Sequence, residues 1–152
     1  MVDFSVKVEG LDKIATASAA IQEAVAAQVK AGLYVCGKQI ESDWKKSILA
    51  GGKTGRIYKR RGVTHQASAP GEAPASDTGR YVNSINTQAG NDPMAVEVHG
   101  GGGIVNYAKA LEFGTAKMEA RPAAVPAVEM NKQFTNDRLA QAVRDGIAKG
   151  GT

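Results

Sequence analysis

The sequence predicts an α+β protein: a small antiparallel sheet packed by a long N-terminal helix and a C-terminal helix, with an extended basic arm or hairpin. Three observations carry this expectation. Apolar residues recur every three or four positions from Leu11 to Ile48, the spacing of one helical face. Two short stretches, residues 3–9 and 94–99, alternate apolar with polar, the period of a half-buried strand. A weaker helical stripe runs from Val125 to Gly146.

In chain order, Phe4, Val6 and Val8 share one side of the first expected strand, and Gly10 breaks it. The long helix follows. Its stripe is Leu11, Ile14, Ser18, Ile21, Val25, Val29, Leu33, Cys36, Ile40, Trp44 and Ile48. Such a helix is over ~50 Å long, more stripe than one small core needs, so part of it is expected to pack on something else. Gly32 and Gly37 lie inside it and are read as points of close packing or a mild bend.

Gly51-Gly52 ends the helix, and residues 51–76 are expected to protrude as a loop or arm. Ile57-Tyr58 and Val63-Thr64 flank a basic turn, which suggests a hairpin standing away from the body. Residues 67–76 are Pro, Gly, Ala and Ser with a single Glu, and read as a loop of the length that is usually functional or mobile. Asp77-Thr78-Gly79 is placed to cap a short helical turn over residues 80–83. Residues 84–89 and 94–99 form a hairpin-like pair around the turn at 90–93. The glycines at 100–103 read as a flexible connection. A short helix is expected over 106–113, stopped by Gly114. The last helix opens near Pro122 and Pro126 and runs as one piece to about Ala148. No internal repeat or second domain is visible, so residues 1–152 are read as one domain.

Composition narrows the function classes. Aromatic residues make up only 5% of the 152 residues, so large core fillers are few and contacts to neighbouring subunits are expected. The net charge of +4 suits an acidic or phosphate-rich neighbour. Cys36 is the only cysteine, which excludes an intrachain disulfide and fits a reducing compartment. No signal-peptide pattern opens the chain, and no run approaches the ~20 apolar residues of a membrane span. A soluble protein made in the cytoplasm is expected.

Chemistry-bearing motifs are sparse. His65 and His99 have no Cys or second His at metal-ligand spacing, so no metal is expected. Cys36 falls in the helix stripe and reads as a buried thiol. Gly52-Lys53-Thr54 resembles the end of a phosphate-binding loop, but position 47 is Ser where that loop needs Gly, and a helix precedes it. No Gly-x-Ser-x-Gly elbow exists, and no pair of acids stands out. The expectation is a non-enzymatic protein without cofactor. The clearest anomaly is charge. No acidic residue lies between Asp43 and Glu72, whereas Lys45, Lys46, Lys53, Arg56, Lys59, Arg60 and Arg61 do. Such a run docks on an acidic neighbour or faces nucleic acid, unless it is simply solvated.

Two stretches carry a family resemblance. Residues 67–85 read ASAPGEAPASDTGRYVNSI. Residues 107–115 read YAKALEFGT, followed by MEARP at 118–122 and Pro126-Ala127. In this order they resemble the tail-completion, or head–tail joining, neck proteins of lambdoid tailed phages. That pattern is a Pro-Gly-x-x-Pro loop, Thr-Gly-x-x-x-x-Ser-Ile, Tyr-Ala-x-x-x-Glu-Phe-Gly-Thr and Ala-Arg-Pro. The start, with Phe4, Val6 and Gly10-Leu11-Asp12, is also similar. The chain departs from the family at Ala123-Ala124, where a large apolar residue is frequent.

The resemblance implies a virion protein forming a homo-oligomeric, typically hexameric ring between neck and tail tube, without catalysis. Its partners would be further copies of itself, an adjacent neck or stopper protein, the tail-tube protein and, non-specifically, DNA passing through the lumen; no membrane is involved. Candidate subunit or partner contacts are Lys53, Arg56, Tyr58, Lys59, Arg60, Arg61, Pro70, Pro74, Tyr107, Glu112, Phe113 and Arg121, with Glu112 and Arg121 able to pair within or between subunits. A nucleic-acid-binding module using the basic arm is the alternative.

Overall fold

The computed structural model describes residues 11–103 and 105–151, with side chains from residue 16 onward; the expected first strand, at residues 3–9, lies outside them. The architecture is α+β. Helix α1 (Leu11–Leu49) is followed by strands β1 (Ile57–Arg60) and β2 (Val63–Gln66), the short helix α2 (Arg80–Ser84), strands β3 (Asn86–Ala89) and β4 (Val96–His99), and helices α3 (Ala108–Phe113), α4 (Ala124–Met130) and α5 (Lys132–Gly150). The strands form two separate antiparallel hairpins rather than one sheet. Ile57 pairs with Gln66 in the first, and Asn86 with His99 in the second.

α1 is ~58 Å long and is the spine of the molecule. Its apolar stripe serves two partners in turn. Along the N-terminal half, α5 runs antiparallel to it: Gly32 faces Ala142 and Leu139, Val25 faces Gly146, and Ile21 faces Gly150. Small residues on both helices let the backbones approach so closely that a Cβ on Gly146 would overlap the Val25 main chain. Residues 16–20 reach beyond the end of α5 and are exposed. Further along, Gly37 sits beneath the β3–β4 hairpin, where a Cβ would strike Thr87 and Val96. Both helical glycines are thus points of close packing. The free thiol of Cys36 is buried.

The main core lies at the C-terminal end of α1. Trp44 and Ile48 pack there with Tyr81, Val82, Ile85, Val105, Ala108, Ala123 and Ala127. Burying a side chain such as Ile48 or Ile85 contributes about 1.5–3 kcal/mol. The residues 100–103 read as a flexible connection include a tight packing point. A Cβ on Gly100 would collide with Trp44 and Ile85, and Gly101 donates its N–H to Ser84 Oγ at 2.9 Å. Ala123 is fully buried.

The last helix is also not one piece. Asn131 interrupts it between α4 and α5, with its side-chain amide donating to Ala127 O and to Asp43 Oδ2, both at 2.9 Å. The Asn131 bond is the main reason the Asp43 carboxyl is held below its ordinary pKa, assisted by Gln39 and Lys46 and opposed by burial. This contact fixes the start of α5 against α1. Among the described residues no helix is long and apolar enough to cross a membrane.

Candidate docking cleft between the arm and the body

The basic stretch folds into the β1–β2 hairpin. Its two-residue turn places Arg61 at φ 50° and Gly62 at φ 81°. Positive φ at both positions is the type I′ pattern, which matches the twist of the strands. Gly adopts it freely, whereas Arg at this backbone costs about 1 kcal/mol. Alternation gives the hairpin two faces. Ile57, Lys59, Thr64 and Gln66 share one; Tyr58, Arg60, Val63 and His65 share the other. Nearly all of these residues are exposed. The Tyr58 ring stacks on His65 at a centroid distance of 5.7 Å.

Two carboxylates fasten the arm. Asp77 accepts from Arg60 Nη1 at 2.5 Å and lies 3.3 Å from His65 Nδ1. The sequence marks Asp77-Thr78-Gly79 as the cap of α2, but Gly79 occupies the N-cap position without a side-chain bond and Asp77 turns to the arm. At the base, Glu72 accepts from Thr54 Oγ1 at 2.6 Å, Ala69 N at 2.8 Å and Thr54 N at 3.1 Å. The Thr54 hydroxyl first, then these backbone N–H groups, lower the Glu72 pKa to about 2. Lys53 Nζ donates to Ser47 O at 3.1 Å, covering the open carbonyl end of α1. The first two acids beyond the acid-free stretch therefore fold back onto it. Arg56, Lys59 and Arg61 still have no ion-pair partner among the described residues.

Between arm and body opens a cleft of about 550 Å3. Tyr58 and Arg60 line it from the arm. The segment 67–81 supplies one wall, with Pro74, Asp77, Arg80 and Tyr81. The segment 107–121 supplies the other, with Tyr107, Leu111, Met118 and Arg121. Tyr81 stands edge-on to both Trp44 and Tyr107, with centroids 6.2 and 6.3 Å away. Burial, with a smaller contribution from the Glu112 carboxylate, pushes the Tyr81 phenol up to about 12, so it stays protonated. Arg121 spans the walls, donating through Nε to Ser68 O at 3.1 Å and through Nη1 to Glu119 O at 3.3 Å. Met118 and Arg121 also border a shallower depression beside Pro70 and Lys117.

A Glu112–Arg121 pair does not form within the chain. Glu112 is only 8% exposed and turns inward. Its carboxylate accepts the N–H groups of Ala123 (2.9 Å), Ala124 (3.0 Å) and Val125 (2.8 Å), the open first turn of α4. Phe113, one residue on, is 69% exposed and fills no core.

Of the sequence candidates, Tyr58, Arg60, Pro74, Tyr107 and Arg121 converge on the cleft. Lys59 and Arg61 lie on the exposed arm, with Arg56 at its base. Pro70 borders the second depression, and Lys53 and Glu112 are committed to helix ends. Sequence reasoning passed over Asp77, Arg80 and Tyr81 as site residues; the position of Asp77 and Arg80 just beyond the basic run is the one signal that pointed there. Among the described residues no group of three His, Cys, Asp or Glu side chains is placed to hold a metal ion.

The fold and cleft together define an α+β domain with an open cleft lined by tyrosines and arginines. No family model, curated protein or solved structure matches the chain.

Proposed function

We propose that this protein is a non-enzymatic structural subunit of a tailed bacteriophage, assembling as a homo-oligomeric ring that completes the tail and joins it to the head. One observation carries the reading. The two stretches with the neck-protein resemblance, 67–85 and 107–122, are far apart in sequence yet both line one open cleft. Residues needed only for packing have no need to meet at an open surface.

Other features support assembly. An isolated two-stranded hairpin is at best marginally stable in water, so an arm exposed on both faces gains from a neighbour. Ile57, Val63 and Phe113 leave apolar surface uncovered. Tyr and Arg, which line the cleft, are the residue types enriched in the energetic centres of protein interfaces. Arg61 at a turn position suited to Gly or Asn places a charge at the arm's tip at a local conformational cost.

Light scattering on the purified protein, alone and with isolated tail tubes, tests this. Ring formation gives a species of several subunits in at least one condition; monomer in both rules the proposal out. The unpaired Arg56, Lys59 and Arg61 favour a second reading, a nucleic-acid-binding arm. That reading requires sub-micromolar affinity for DNA falling steeply with salt.

A further inference from the structure

We infer that the cleft receives an extended, carboxylate-bearing peptide segment with apolar anchors from an assembly partner. This inference rests on the assembly reading and specifies the chemistry of the partner. Three arginines line the cleft against one aspartate, so its charge suits an anionic occupant. The distribution of that charge narrows the class. Arg60 is held by Asp77, and Arg121 is held by two backbone carbonyls. Arg80 is exposed and makes no ion pair or hydrogen bond through its side chain among the described residues. A nucleic-acid strand needs a track of free cations at phosphate spacing; the cleft lining holds one, Arg80, and the free cations of the arm, Arg56, Lys59 and Arg61, are outside it. In the same lining the half-buried Leu111 and Met118, with the exposed Tyr58 and Tyr107, offer an apolar floor over the buried Ile48 and Pro74. One free guanidinium beside such a floor suits a peptide carboxylate with an apolar neighbour.

The described part of a second copy fits poorly. Its own arm is cationic. Among the described residues Glu23, Glu97 and Glu119 are the carboxylates without a hydrogen bond or ion pair, and they are scattered over α1, β4 and the loop after α3. Every other described acid is committed, as Glu41 is to Lys38, Lys45 and Thr87. No described segment presents two free acids together, so none of them supplies the complementary strip of carboxylates.

Fluorescence anisotropy on the full chain tests this with three labelled probes of equal length. One peptide alternates Glu with Leu and Ala, a second has Lys for each Glu, and the third is oligo-dT. The expected result is micromolar binding of the acidic peptide alone, weakened about tenfold by Arg80→Glu or Tyr107→Ser and unchanged by Lys59→Glu. A melting curve for each variant confirms folding, and Arg80→Gln serves if Arg80→Glu fails. Equal or tighter binding of oligo-dT or the basic peptide overturns the inference. So does acidic-peptide binding insensitive to Arg80 and Tyr107, or no binding below millimolar. A chain that binds the acidic peptide through Arg80 but never forms a ring keeps the cleft and loses the ring; a ring with an inert cleft does the reverse.

Discussion

Removing the Glu112 carboxylate separates a structural role from an interface role. In Glu112→Ala the N–H groups of Ala123, Ala124 and Val125 lose their acceptor. Ala123 is fully buried, so its N–H cannot turn to water, and a buried unsatisfied donor costs about 1–3 kcal/mol. The other two rehydrate in part, each losing a charge-assisted bond of about 1 kcal/mol net. The favourable field of a carboxylate at a helix start, about 0.5–1 kcal/mol, is lost as well. The sum is roughly 3.5–6 kcal/mol, which for a chain of this size lowers Tm by about 10–20 °C. Glu112→Gln keeps one acceptor oxygen but turns an amide NH2 towards backbone donors, for a loss of about 1–2 kcal/mol. Thermal melts by circular dichroism give the ranking, with light scattering on the same samples. A Glu112→Ala protein that melts within about 2 °C of the parent refutes the capping argument. If that protein also fails to assemble, Glu112 faces a neighbour after all.

Three further predictions follow from the same contacts. Asp77→Ala unlatches the arm, and an exposed pair of this kind is worth about 0.5–1 kcal/mol, so trypsin should cut after Lys59, Arg60 or Arg61 about two- to fivefold faster; an unchanged rate means the latch is idle. The Glu72 pKa is lowered, so its contribution to arm closure is complete above the ordinary carboxylate range near ~4.3 and fades as pH falls towards 2. The Thr54 and Ala69 amide resonances should therefore titrate with a midpoint near 2, and one above 4 contradicts the bonding described. Gly146→Ala forces a methyl into the Val25 main chain and should cost about 1–3 kcal/mol, while Gly32→Ala, whose Cβ would lie 3.3 Å from Ala142, regains helix propensity and costs far less; equal melting temperatures argue against the tight crossing.

The long helix was legible because burial along it follows the 3.6-residue repeat. The basic hairpin was legible because its apolar pairs and turn are local. The break at Asn131 was not: the stripe passes through it from Val128 to Lys132. The interruption is instead held by Asp43, 88 positions away in the chain. Glycines 100–103 look like a spacer because a sequence does not display the Trp44 ring that Gly100 must pass. Glu112 escaped recognition because it caps a helix start eleven residues downstream, far outside the spacing of a local capping box. The cleft draws Tyr58, Tyr81 and Tyr107 from three segments, and no spacing rule joins them. What the sequence did hold was charge: a run of cations without acids marked one wall, and the first acids beyond it proved to be the fasteners.

The assembly face proposed for this protein is the arm and its cleft. Amide hydrogen exchange on the protein, free and after incubation with isolated tail tubes, tests it most directly. Docking predicts slowed exchange in β1, β2 and the segments 74–81 and 107–121, with α1 and α5 unchanged along their shared contact. No change on adding tubes, or protection confined to the outer face of α5, contradicts it.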